Sequence, residues 1–167
     1  MPRNWQPREQ KLLAEYLTKF YPKDIHMTRV RLGAIEPEAK YPDLTEREVA
    51  ALGVWRRWAD AVVITKRKMI LIEAAIRPDT GEASKLEVYA DLLPLTPELR
   101  PYLGLPLHLE LVYAVYDAVV IHYCEKHGIR CVFFCPDWIL DYLKELHPRM
   151  GEGLAPGGLL SPSEEEK

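Results

Sequence analysis

Residues 55–91 read WRRWADAVVITKRKMILIEAAIRPDTGEASKLEVYAD. Two apolar runs rich in β-branched side chains, 59–65 and 69–76, flank the basic pair Lys66-Arg67. That pattern predicts a hairpin, and the residues after it predict a short helix. Symmetry about the basic pair sets the register: Thr65 faces Lys68, Val62 faces Leu71 and Asp60 faces Glu73. Directly opposed side chains on one sheet face lie about 5 Å apart. Two carboxylates there, inside otherwise apolar strands, repel, so either one is protonated or a cation lies between them. The cation is the favoured reading, which makes the pair a metal site. The same register sets Trp58 against Ala75 and Arg56 against Arg77. An anion such as phosphate would relieve the two arginines. Carboxylates for a metal, with arginines for a phosphate beside them, predict phosphodiester chemistry.

The stretch resembles the core of the PD-(D/E)XK nuclease superfamily, in particular its RecB-type and phage-encoded members. The pattern there is an Asp on one strand, Glu-x-Lys on the next, and a helix carrying Gln-x-x-x-Tyr. Asp60 matches the first position. Glu73-Ala74-Ala75 matches the second, with Ala75 where Lys is expected, and Lys85-Leu86-Glu87-Val88-Tyr89 matches the third, with Lys85 where Gln is expected. The two departures read as one event, the motif lysine having moved to the following helix.

The resemblance implies an α/β fold with a restriction-endonuclease-like αβββαβ core, a mixed central sheet flanked by helices. It implies a metal-dependent DNA nuclease, phage-encoded and serving recombination, replication or genome processing. Mg²⁺ or Mn²⁺ would be held by Asp60, Glu73 and the backbone carbonyl of Ala74, with water completing the octahedron. Lys85 would be the catalytic ammonium beside the developing negative charge. Glu48 or Glu46 would be the metal-assisting helical acid, although a capping box from Thr45 to Glu48 explains Glu48 without a metal. Arg56, Arg77, Tyr89, Lys66 and Arg67 are the candidates for DNA and phosphate contact. The alternative is a catalytically degenerate DNA-binding or assembly module of the same fold, in which Ala75 marks a lost site.

Composition narrows the setting. The 167 residues suit one domain, expected over 1–147, with 148–167 as a disordered acidic tail rich in Gly, Pro, Ser and Glu. No run is long enough to cross a bilayer and no signal peptide precedes the chain, so a cytoplasmic protein is expected, in the host cytoplasm if phage-encoded. Three cysteines, Cys124, Cys131 and Cys135, form no zinc or cluster pattern and read as core residues in a reducing compartment. A net charge of −3 argues against a broad nucleic-acid-coating surface, so a protein partner that delivers DNA is expected; a homo-oligomer stays open. One asparagine and two glutamines beside 14 prolines and 28% charged residues suit a thermophile.

Elsewhere the pattern predicts helices over 8–20, 45–52, from Asp79 to Leu93, from Asp117 to His127, and over 136–146. Strands are expected over 27–35, 107–115 and 129–135, and loops over 36–43 and 96–106. Arg8, Lys11, Glu15 and Lys19 read as the solvated face of the first helix, and Arg29 and Arg31 as an exposed edge-strand face.

Overall fold

A computed structural model describes residues 6–33 and 57–146, with Thr45 and Arg47. The expected helix over 45–52, the loop over 36–43 and the tail from 148 lie outside the described residues, as do Glu46, Glu48 and Arg56.

The protein is α/β, with a five-stranded mixed sheet between helices. Helix α1 (Gln6–Phe20) leads into strand β1 (Ile25–Leu32). The hairpin follows as β2 (Arg57–Ile64) and β3 (Met69–Ala75), and then helix α2 (Thr80–Leu92). Strand β4 (Leu107–Tyr113), helix α3 (Ala118–Lys126), strand β5 (Arg130–Phe133) and helix α4 (Asp137–Leu146) complete the order. The strands lie in sequence order across the sheet, antiparallel from β1 to β3 and parallel from β3 to β5.

The hairpin register is the one that symmetry predicts: Val62 pairs with Leu71 and Ile64 with Met69. The tip has no Asn-Gly, and Thr65 takes its place. Its backbone N–H donates to the Lys68 carbonyl at 2.9 Å, and its hydroxyl oxygen accepts the N–H groups of Arg67 and Lys68.

Every residue of β3 is buried, as a central strand covered on both faces requires. Leu71 packs with Leu86, Tyr89, Val120 and Cys124 under α2 and α3, whereas Ile70 and Ile72 pack with Leu13, Tyr16 and Leu17 of α1. Leu12 of α1 also joins Ile139, Tyr142 and Leu143 of α4 around Ile76 and Ala114. Burial of these side chains, each contributing about 1.5–3 kcal/mol, fixes the helices to the sheet.

Helix α2 begins where its sequence demands. The Asp79 carboxylate accepts the N–H groups of Gly81 and Glu82, and Glu82 reaches back to the Asp79 N–H, a complete capping box. Asp117 caps α3 in the same way, and Gly128, at φ 67°, supplies the left-handed turn that ends it. Two expectations need correction. Residues 96–106 are not an open loop: Pro97–Tyr102 forms a 3-10 turn after a shorter one at Leu93–Leu95, with Leu99 buried. Strand β5 stops at Phe133, so Cys135 lies beyond it and packs near α4, while Cys131 packs on the α2–α3 side.

Candidate active site

The regular β2–β3 ladder ends at Ala61–Ile72, one pair short of the two carboxylates. Side chains take over from there. The N–H of Asp60 donates to Glu73 Oε1 at 3.2 Å, and the N–H of Ala74 donates to Asp60 Oδ2 at 2.9 Å. Each carboxylate thus commits one oxygen to the opposite strand's backbone. Asp60 Oδ1 and Glu73 Oε2 take no part in that exchange.

On its other side Asp60 faces a second irregularity. Thr28 pairs with Ala61 and Val30 with Ala59, which leaves Arg29 opposite Asp60 without a ladder partner. Arg29 has φ 53°, a left-handed conformation uncommon for a residue other than glycine. Alternation fails at the same level: Met27 and Val30 both pack under α2 and α3, as do Ala59 and Val62. Residues three apart in an unbroken strand face opposite sides. Each strand therefore carries a break at this level, and Asp60 stands where the sheet changes face.

The opening is roofed from both sides. A cavity of about 560 Å³ is lined by Asp60, Glu73 and Ala74 of the hairpin, Glu9 of α1, and Lys85 and Tyr89 of α2. Arg77, Asp79, Glu82 and Trp58 complete its wall. A second cavity of about 430 Å³ shares Glu9, Trp58 and Asp60 and continues past Arg29. Both volumes fall in the range of ligand clefts.

Electrostatics in the cavity follow burial. Glu73 is 4% exposed, and its carboxyl is pushed up to about 9 by burial and then by the charge of Asp60. Asp60 is raised by burial too, against the opposing effects of the Ala74 N–H and Lys85. Glu9 is raised by burial and by the charges of Asp60 and Glu82. Burial works against the Lys85 ammonium, but Glu73 and Glu82 outweigh it and raise Lys85 above its usual value. Lys85 Nζ lies 3.5 Å from Glu82 Oε1. Among the described residues, no lysine or arginine forms an ion pair with Asp60 or Glu73.

The cavity brings together Asp60, Glu73, Ala74, Lys85, Tyr89 and Arg77 from the sequence-predicted set. It does not include Lys66 and Arg67, which are exposed at the hairpin tip, about 20 Å along the strand from Asp60. Trp58, Asp79, Glu82 and Glu9 lie outside that set, and Glu9 is the one that comes from α1, far away in sequence. Its signal was positional: Glu9 is four residues before Leu13 and seven before Tyr16, on the buried stripe of α1.

Mg²⁺ prefers hard oxygen ligands and is usually held by one or two carboxylates, with water and substrate phosphates completing the shell. Two carboxylates whose burial disfavours their ionised forms, each with one oxygen outside the backbone exchange, meet that requirement. Among the described residues, however, no three His, Cys, Asp or Glu side chains converge closely enough to form an ion-binding cluster by themselves. No described helix is long and apolar enough to cross a membrane.

Compared with protein-family models and with curated proteins, the sequence matches none.

Proposed function

We propose that this chain is a Mg²⁺- or Mn²⁺-dependent nuclease that hydrolyses DNA phosphodiester bonds, with a PD-(D/E)XK-like site on a restriction-endonuclease-like core. The reciprocal exchange between Asp60 and Glu73 at the head of the cavity carries this reading. Asp60, Glu73 and the Ala74 carbonyl would hold the ion. When bound, it would polarise the scissile phosphate and acidify a water molecule. Lys85 projects into the same cavity as a persistently protonated ammonium and stabilises the negative charge that develops on the phosphate. Arg77, at the wall, holds a neighbouring phosphate, and Glu9 borders the cavity from the α1 side.

The purified chain should cleave single- or double-stranded DNA with Mg²⁺ or Mn²⁺, and Asp60→Asn or Glu73→Gln should abolish cleavage. No cleavage across several divalent metals overturns the proposal. A second reading, a non-catalytic DNA-binding or assembly module, draws on Ala75 at the motif-lysine position and on the absence of a three-ligand cluster among the described residues. Calorimetry with Mn²⁺ separates the two. Heat that disappears in both carboxylate variants supports the nuclease, and its absence in the parent chain supports the module.

A further inference from the structure

Beside the carboxylate cavity, on the α1 side of β1 and β2, Trp58 stands 43% exposed. It pairs across the strands with Arg31, whose guanidinium lies 4.5 Å from the centre of the indole ring. The Arg29 guanidinium lies 5.5 Å from the same centre. One aromatic side chain thus has two cations of the neighbouring strand within reach of its ring. The left-handed turn at Arg29 sets this side chain beside Trp58 at the level of Asp60. The groove lined by Trp58 and Arg29 joins the carboxylate cavity through Glu9, Trp58 and Asp60.

We propose that this groove is a stacking subsite for single-stranded nucleic acid, with one base on Trp58 and the adjoining phosphate on Arg29. The inference deepens the nuclease reading by naming the form of its substrate. Stacking on a side chain needs a base whose face is open. In a duplex both faces are covered by neighbouring pairs, so an exposed indole with two guanidiniums beside it on β1 finds its partner in an unpaired strand. A phosphate beside the stacked base meets the cationic rim, and the next one along falls towards Asp60 and Lys85. Ribose and deoxyribose strands share this chemistry, so the sugar is left to the measurement.

The test is binding without chemistry. Fluorescence anisotropy of short labelled oligothymidylate, oligouridylate and a hairpin duplex is measured with the full chain in EDTA at low salt. At least one single strand should bind more tightly than the duplex, and the tighter of the two identifies the sugar. Trp58→Ala should weaken that binding by about tenfold or more, while Trp58→Phe retains most of it. Arg29→Gln should weaken it and flatten its salt dependence. Thermal melts confirm that the variants are folded. The inference is overturned if neither strand binds, if the duplex binds as tightly, or if folded Trp58→Ala binds as well as the parent. Trp58-dependent binding without metal-activated cleavage keeps the subsite and removes the catalytic reading; cleavage with Trp58-independent binding does the reverse.

Discussion

Glu73 and Glu110, on the adjacent strands β3 and β4, are buried carboxylates held in opposite ways. Glu110 pairs with Ile72 on the α1 side and accepts hydrogen bonds from the hydroxyls of Tyr16 and Tyr21, with the Arg130 guanidinium at 3.2 Å. Glu73, the next residue along, receives the Asp60 N–H and otherwise borders the cavity. One is a satisfied structural acid. The other has a single backbone donor and opens on the cavity, where burial disfavours its charge, the condition a cation relieves.

The first prediction follows from the raised carboxyl of Glu73. Its folded value lies near 9 against an ordinary 4.5, so folding favours the protonated form. The sign is therefore fixed: the contribution to stability is complete below the ordinary value and is lost as pH rises towards the folded one. In EDTA, the melting temperature should fall between about pH 5 and about pH 9, and Glu73→Gln should flatten that fall. Mn²⁺ competes with the proton, so its affinity should rise over the same window.

The second prediction concerns the satisfied acid. Tyr16→Phe removes a donor from Glu110 inside the α1 contact, which should cost about 1.5–3 kcal/mol in chemical denaturation. Mn²⁺ affinity should be unchanged, because Glu110 faces away from the cavity.

How far residues reveal this arrangement depends on the distance over which each acts. The hairpin register was legible because Val62, Leu71, Asp60 and Glu73 are tied by one short connection. The starts of α2 and α3 at Asp79 and Asp117 were legible because a capping carboxylate acts within three residues. The face change at Asp60 was not. It depends on a left-handed Arg29, and arginine carries no preference for that conformation. Glu9 was missed for a different reason. It meets Asp60 and Lys85 only after α1 has packed on the sheet, although its place on the buried stripe was visible. The nature of residues 96–106 was hidden by three prolines, which read as a loop although Pro97 opens the longer 3-10 segment.

The third prediction isolates Lys85. Its side chain is 46% exposed on the first turns of α2 and meets only Glu82 within ion-pair distance among the described residues. Lys85→Ala should change stability by less than about 0.5 kcal/mol. If the ammonium serves the developing charge, cleavage should fall by about 100-fold or more. Lys85→Arg should recover part of it. Equal rates in the parent and Lys85→Ala would make Lys85 a surface lysine.

The fourth prediction tests whether α2 positions that ammonium. A Cβ on Gly81 would lie 2.7 Å from Asp79 Oδ1, the oxygen that caps the helix. Gly81→Ala should therefore displace the cap and cost about 1 kcal/mol, despite alanine's better helix propensity. The first turn that carries Glu82 and leads to Lys85 would shift with it. Cleavage should fall while Mn²⁺ binding, which depends on the β2–β3 exchange, stays within error of the parent. Loss of both together would mean that α2 supports the carboxylates as well as the lysine.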